Sequence, residues 1–272
     1  MPTPSLDVPE SDIARIRAVR GIPPRVAVVL GSGLSGLAEA AHDAVAVPYA
    51  EIEGLRDVGR VMGHAGNLVC GSLGGVDVVM FQGRVHMYQG ASALDAAYPA
   101  RLAAALGCEV LIVTAATGGV SPDLSAGDIV VLSDHINLFA TSPLVGWSGP
   151  EGGTPFVPMR DAYDPALRAL AHDVAATEGV PLKDAVYAAV IGPAYETPAE
   201  AAYLCAAGAD VVGMSVVPEV IAARALGLRV LGLSLVSNIA ADEGLSHEEV
   251  LEAGRVAAED MSRLVLAILR RL

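Results

Sequence analysis

The chain has 272 residues and a formal net charge of −14, and its only lysine is Lys183. Nucleic-acid binders need basic patches that displace counterions from phosphates, so this charge balance excludes that class. Hydrophobic residues make up 53% of the chain and the mean hydropathy is +0.50. Polar residues or glycine nevertheless interrupt every apolar run before it reaches the roughly 20 residues of a membrane span. We therefore expect a large buried core and no membrane segment.

Residues 1–12 are polar, acidic and rich in proline, without the basic and apolar regions of a signal peptide. Cys70, Cys108 and Cys205 form no Cys-x-x-Cys pair, which is typical of a reducing compartment. We expect a cytoplasmic protein on these grounds. The histidines have no metal-ligand spacing with carboxylates, so the sequence predicts no metal.

Apolar runs and helical patterns alternate along the chain, which predicts α/β layers within a single domain, 1–272. The predicted strands are Val26–Leu30, Val78–Phe81, Val110–Thr114, Val186–Ile191, Val211–Gly213 and Val230–Val236. The predicted helices are 9–20 with Ser11 as cap, Ala91–Leu106 ending at Gly107, Asp164–Glu178, Ala199–Ala207 and His247–Leu272. The proline- and glycine-rich segment 141–160 is too long for a simple connector, which indicates a functional or interface loop.

Several predicted strands run into small residues: Gly31-Ser32-Gly33, Ala115 to Gly119, and Met214-Ser215. Glycine lets backbone N–H groups approach a ligand, and such loops form anion-binding concavities. Ligands of open α/β sheets lie at the carboxyl ends of strands. The pattern therefore predicts one composite site.

The segment 83–90, Gly-Arg-Val-His-Met-Tyr-Gln-Gly, follows the apolar run at 78–81. Arg84, His86 and Tyr88 alternate, so an extended backbone would direct all three side chains to one side. A guanidinium fork, an imidazole donor and a phenol ring suit a phosphate bound beside a sugar. The alternative is an edge strand with solvated polar residues.

Residues 31–36 also match the dinucleotide-binding fingerprint Gly-x-Gly-x-x-Gly, so an NAD-dependent oxidoreductase is a remote alternative. That fold needs an acidic residue on a second strand to hold the ribose. Glu51 is the candidate, but Pro48 argues against a strand over 45–51.

Taken in order, ten motifs resemble the trimeric purine nucleoside phosphorylases from about residue 25 to the C-terminal helix. The matching segments are 31–34, 63–66, 83–88, 134–138, 161–164, 192–197, 212–215, 217–220, 237–238 and 247–251. The resemblance implies a mixed β-sheet with a small barrel-like portion surrounded by helices, assembled as a homotrimer. The resemblance also implies that the protein uses no cofactor. Its two substrates would be a purine nucleoside and inorganic phosphate.

The resemblance also implies roles for individual residues. The implied phosphate site consists of Ser32, His64, Arg84, His86, the backbone N–H of Ala116, and Ser215. The implied nucleoside site consists of Tyr88, Met214 and His247 around the ribose and Tyr195, Glu196 and Asn238 around the purine. Of these, His86, Glu196 and Asn238 are the expected catalytic residues.

These residue types suit phosphorolysis of inosine, guanosine and their 2′-deoxy forms. Asn238 can bond N7 and O6 as charge builds on the leaving base, and Glu196 can accept from N1–H. Adenine N1 is an acceptor and would face Glu196 unpaired, so the pair favours a 6-oxopurine. The nearest alternative, a methylthioadenosine phosphorylase, tends to carry aspartate at the position of Asn238.

Two departures from the family pattern bear on the pocket. The family usually has Asn-Ala-Ala-Gly or Asn-Ala-Cys-Gly where this chain has Ala115 to Gly118, which predicts a hydroxyl, Thr117, beside the base. The family also tends to lend an aromatic residue to the neighbouring subunit from the loop 141–160, where this chain offers Trp147 and Phe156. Two side chains also have a plainer structural interpretation, Met214 as core packing and Glu219 as a residue that holds its loop.

Overall fold

A computed structural model describes residues 5–31, 34–55, 65–149, 152–240 and 247–272, with the backbone alone for 247–256. The strands are Val26–Leu30 (β1), His42–Pro48 (β2), Asn67–Leu73 (β3), Val76–Gln82 (β4), Val110–Gly119 (β5), Ile129–Asn137 (β6), Leu182–Ala189 (β7), Val211–Gly213 (β8) and Arg229–Ile239 (β9). The α-helices are Glu10–Arg20 (α1), Ala93–Ala96 (α2), Tyr98–Leu106 (α3), Pro165–Glu178 (α4), Pro198–Ala206 (α5), Val217–Ala225 (α6) and His247–Leu269 (α7). Short 3₁₀ helices lie at Ser35–Ala40, Tyr49–Glu51 and Met87–Gln89.

The described strands form one mixed sheet in the order β2-β3-β4-β1-β5-β8-β7-β6-β9. Strand β1 runs parallel to β4 and β5, β5 runs parallel to β9, and β3 runs antiparallel to both β2 and β4. Because β9 pairs with both β6 and β5, the strands β5, β8, β7, β6 and β9 close into a ring. This arrangement confirms the predicted α/β fold with a barrel-like portion. No helix in the described ranges is both long and apolar enough to span a membrane.

Strand β5 lies where the functional segments converge. Its parallel neighbours β1 and β9, and β4 beyond β1, end at the same edge of the sheet. Gly118 near the end of β5 is opposite both Val212 of β8 and Asn238 of β9. The segments after β4 and β8 and the end of β9 are thereby brought to one region, as expected for a composite site.

The helix predicted over 91–106 is two helices, α2 and α3, separated at Ala97. Pro99 lacks the N–H that a continuous helix would bond to the carbonyl of Asp95, so the helix is interrupted there. Helix α3 ends at Gly107 as predicted, with a left-handed φ of 91°.

The cap predicted for α1 is wrong. The helix begins at Glu10 after Pro9, with no side-chain hydrogen bond at the cap position. The Ser11 hydroxyl instead donates to Glu53 Oε2 at 3.3 Å. The residue lies inside the first turn, where its backbone is already helical and its side chain faces the neighbouring loop.

A strand does form where Pro48 was expected to prevent one, because Pro48 is the last residue of β2. Strand β2 lies at the edge of the sheet, where a residue without an N–H is tolerated. The predicted strand 186–191 is β7, which begins earlier, at Leu182, and ends at Ala189.

Candidate active site

Arg84 lies two residues beyond the end of β4, at the centre of a buried polar cluster. Its Nε donates to Glu219 Oε1 at 3.2 Å, and both side chains are 2% exposed. Its Nη1 donates to Ser215 Oγ at 3.1 Å. Arginine and glutamate are rarely buried to this extent unless they are paired. Ser215 lies on the short segment that joins β8 to α6, and Glu219 lies in the first turn of α6.

Two buried tyrosines hold the backbone on either side of this cluster. The Tyr49 hydroxyl donates to the carbonyl of Gly83 at 2.7 Å, next to Arg84. The Tyr187 hydroxyl accepts the backbone N–H of Ser215 at 3.1 Å. Burial raises the pKa of both phenols, so each stays protonated near neutral pH. The positions of Arg84 and Ser215 are therefore fixed from both sides.

His86 and Tyr88 do not continue the extended backbone that would have placed them in line with Arg84. The chain is extended at His86, with φ −114° and ψ 141°, and then turns into the 3₁₀ helix Met87–Gln89. The prediction of three side chains along one extended edge is therefore wrong beyond His86. The turn instead stacks the His86 and Tyr88 rings, with centroids 4.7 Å apart. The His86 N–H donates to Gln89 Oε1 at 3.0 Å and closes the turn.

The loop between β7 and α5 carries Tyr195 and Glu196. Gly192 begins this loop with a φ of +69°, and a Cβ there would lie 2.2 Å from Met214 Sδ. The positive φ favours glycine here, and a side chain at this position would also displace Met214. Glu196 is half-buried and lines a cavity of about 370 Å³, while Tyr195 is 83% exposed.

Charge also links this loop to the Arg84 side of the site. Burial raises the pKa of Tyr88, and the negative charge of a Tyr195 phenolate would raise it further, while Arg84 lowers it. The pKa of Tyr88 is therefore set first by burial and then by the charges on both sides of the site.

Asn238 is half-buried near the end of β9, opposite Gly118. The Ser237 hydroxyl lies 3.1 Å from the carbonyl of Thr117 and 2.9 Å from Asn238 Oδ1, and Asn238 Nδ2 lies 3.5 Å from the carbonyl of Ile239. Ala116 is half-buried on β5, two residues from Gly118 and so on the same face of that strand. Within the described ranges no hydrogen bond joins Asn238 to Glu196.

The Thr117 hydroxyl, which was expected beside the base, is buried between β5 and β9 instead. Thr117 is 2% exposed, and its Oγ1 lies 2.8 Å from Ser234 Oγ on β9. Ser234 Oγ in turn donates to the carbonyl of Ala115 at 3.1 Å. Side chains alternate across a strand, so Thr117 faces away from the side of Ala116 and Gly118. The prediction for Thr117 is therefore wrong, and the residue forms a buried polar contact between β5 and β9.

Three predicted site residues lie wholly or partly outside the described part of the chain. Ser32 and His64 lie outside the described residues, and His247 begins α7 with only its backbone described. Sequence reasoning missed Thr114, whose hydroxyl accepts the N–H of Gly31 at 2.9 Å and donates to the carbonyl of Val29. This contact ties the end of β1 to β5.

The dinucleotide alternative does not fit this geometry. A 3₁₀ helix, Ser35–Ala40, follows the glycine-rich turn in place of the α-helix whose N-terminus would bind a pyrophosphate. Glu51, the candidate ribose ligand, is exposed and pairs with Arg15 at 2.7 Å.

Comparison with known proteins gives a consistent result. Residues 25–270 match the family model described as the phosphorylase superfamily. Purine nucleoside phosphorylase 1 of Bacillus subtilis is 46% identical over 90% of this chain and 91% of its own. Two solved structures have TM-scores of 0.86 and cover 97% of this chain and 96% of their own. They are a schistosome purine nucleoside phosphorylase with hypoxanthine, at 38% identity, and the Schistosoma mansoni enzyme with adenosine, at 39%.

Proposed function

The chain belongs to the purine nucleoside phosphorylase family of the phosphorylase superfamily, and on that basis we propose that it cleaves inosine, guanosine and their 2′-deoxy forms. The second substrate is inorganic phosphate, and the products are the free purine and ribose or deoxyribose 1-phosphate. No metal or cofactor takes part. The observation that carries the proposal is the buried contact of Arg84 with Ser215 beside the stacked rings of His86 and Tyr88.

Phosphate binds between the end of β4 and the start of α6 in this proposal. Arg84 supplies a cation with several donors, and Ser215 supplies a hydroxyl already positioned by Arg84 and Tyr187. His86, in the segment after β4, and the backbone N–H of Ala116, in β5, add further donors. Ser32 and His64 complete the site, as the family resemblance implies. A net charge of −14 makes such local positive charge necessary for holding an anion.

The ribose lies over Tyr88 and Met214, with His247 near its 5′-hydroxyl. Positioning phosphate against C1′ lowers the barrier because a poor nucleophile is held in line with the bond that breaks. The bond from C1′ to purine N9 then breaks through an oxocarbenium-like sugar, and its electron pair moves to the base, which takes up a proton to become the free purine. A phosphate oxygen forms the new bond to C1′, which gives the sugar 1-phosphate. Asn238 stabilises the charge that builds on N7 and O6.

Glu196, Tyr195 and Asn238 select the base. Glu196 accepts from N1–H and from the 2-amino group of guanine. Adenine presents an unprotonated N1 to this carboxylate, so a 6-aminopurine reacts more slowly.

The proposal is tested by comparing kcat/KM for inosine, guanosine, adenosine and methylthioadenosine, with and without phosphate. We expect inosine and guanosine to exceed the other two by at least roughly tenfold, corresponding to one unsatisfied buried hydrogen bond. Methylthioadenosine as the best substrate would support the alternative phosphorylase instead. This comparison is informative because a related enzyme has been solved with adenosine.

A homotrimer in the cytoplasm, acting in purine salvage, completes the proposal. Phe156, in the loop 141–160, is 92% exposed, and Val145 in the same loop is also exposed. A large aromatic side chain held in solvent is typical of an interface residue. Trp147 is half-buried and makes a weaker candidate for a contact with a neighbouring subunit. Sedimentation velocity on the wild type and on Phe156→Ala tests this assembly.

A further inference from the structure

We propose that Glu219 is a positioning residue that sets the direction of the Arg84 guanidinium toward phosphate. The inference rests on the phosphate role proposed for Arg84. Glu219 itself does not touch substrate. It acts by accepting the Nε–H of Arg84 at 3.2 Å, inside the protein.

The geometry of Arg84 supports an orienting function. The guanidinium is planar, so two acceptors at different nitrogens fix both its position and its rotation. Glu219 Oε1 accepts a hydrogen bond from Nε, and Ser215 Oγ accepts one from Nη1. Because these contacts lie at two different nitrogens, on different edges of the group, they fix both the plane and the rotation of the guanidinium.

Both acceptors come from one segment whose backbone is strained. Val216, between Ser215 and α6, has φ 67° and ψ −57°, and the Val217 N–H donates to the carbonyl of Ser215 at 2.8 Å. A β-branched residue with positive φ is an uncommon and costly conformation. This tight turn carries Ser215 and Glu219 to the same side chain, and strained backbone of this kind is concentrated at functional sites.

A role in stability alone explains this pair poorly. Burying two charges costs as much as their attraction returns, and apolar replacements of such pairs are often neutral or stabilising. One oxygen, Oε2 of Glu219, is buried and has no hydrogen-bond partner within the described ranges. Glu219 also places a negative charge near a site that must accept an anion. An orienting contact at Nε accounts for its presence despite these costs.

Two variants of Glu219 separate the effect of side-chain length from the effect of charge. Glu219→Gln keeps the length of the side chain and an oxygen that accepts from Nε, but it removes the charge. Glu219→Asp keeps the charge but is about 1.5 Å shorter, so its oxygen no longer reaches Nε. Phosphate KM, inosine KM, kcat and Tm are measured for both. Glu109→Gln is the matched control, because Glu109 is exposed and pairs with Arg25 away from the site.

If Glu219 orients Arg84, phosphate KM should rise roughly tenfold in Glu219→Asp, which corresponds to the loss of one charge-assisted hydrogen bond. In Glu219→Gln, which keeps the accepting oxygen, phosphate KM should rise less than about threefold. Inosine KM stays near wild type in both variants. An equal or larger rise in Glu219→Gln would overturn the inference in favour of charge, and unchanged phosphate KM in both would assign Glu219 to packing.

Arg84→Ala distinguishes failure of this inference from failure of the phosphate site. If Arg84→Ala leaves phosphate KM unchanged, the proposed role of Arg84 itself fails. If Glu219→Asp does not fold, Arg84→Lys takes its place, since lysine keeps the charge but has no fork to orient. A rise of about tenfold or more in its phosphate KM supports the inference, and a value near wild type overturns it.

Discussion

Replacing Arg84 with alanine removes the one guanidinium that joins Ser215 and Glu219 beside β4. The variant loses the charge-assisted contact to phosphate, worth about 1.5–3 kcal/mol. At 1.36 kcal/mol for each tenfold change, phosphate KM should rise, or kcat fall, by roughly 10- to 150-fold. Affinity for hypoxanthine should change far less, because Glu196 and Asn238 lie on other elements.

The same substitution leaves Glu219 buried without its cation, which costs about 3–5 kcal/mol of stability in comparable cases. Burial already raises the pKa of Glu219 and Arg84 opposes that rise, so the variant raises the pKa further. A carboxyl with a raised folded pKa contributes stability that is present below its unfolded pKa of about 4.3 and is lost as pH rises through the folded pKa. The Tm deficit of Arg84→Ala should therefore be larger at pH 8 than at pH 5.

Initial rates over a phosphate titration, hypoxanthine binding by calorimetry and Tm at both pH values make up the assay. Arg15→Ala is the control, because Arg15 forms an exposed pair with Glu51. Phosphate kinetics of Arg84→Ala close to those of the control would refute the reasoning. So would an equal loss of affinity for phosphate and for hypoxanthine, since that would indicate a general disruption.

Three further outcomes follow from the contacts described. Asn238→Asp should lose more activity on inosine than on adenosine, because a protonated carboxyl can donate to N7 while accepting from a 6-amino group; parallel kinetics check this, and an equal loss would limit Asn238 to shaping the pocket. Gly192→Ala should raise inosine KM more than phosphate KM, because its Cβ meets Met214 Sδ, whereas Gly208→Ala has a similar positive φ and open space and should affect Tm alone. Thiol labelling of the native protein, read by mass spectrometry, should modify Cys205 before Cys70 and Cys108, since burial raises the pKa of those two thiols to about 11 and about 12; equal rates would contradict their burial.

Six of the nine described strands were accessible from sequence, because each is an apolar run that leads into small or glycine residues. Val26–Leu30 and Val110–Thr114 are such runs, and both lie in buried strands that pair in parallel. The fold with its ring of strands was inferred from the motif resemblance, since nothing in local periodicity shows that β9 pairs with β5 as well as β6. Such pairings depend on contacts between distant segments.

Side-chain direction was harder to predict than position in the chain. Thr117 was expected at the base, but the alternation of β5 turns it to Ser234, and the strand's register decides that direction. Likewise the turn at Met87–Gln89 stacks His86 on Tyr88, where an extended chain had been expected. Glu219 was recognised as a possible loop residue, but its contact with Arg84 joins residues far apart in sequence and needed the structure.

Phosphorus NMR during inosine cleavage tests the central claim most directly. The wild-type protein is incubated with inosine and limiting inorganic phosphate, and the phosphorus spectrum is followed while hypoxanthine is measured in the same samples. The account predicts that the orthophosphate signal falls and a sugar 1-phosphate signal grows, in equal amounts to the hypoxanthine released. Hypoxanthine released while orthophosphate remains constant would identify hydrolysis and contradict the account.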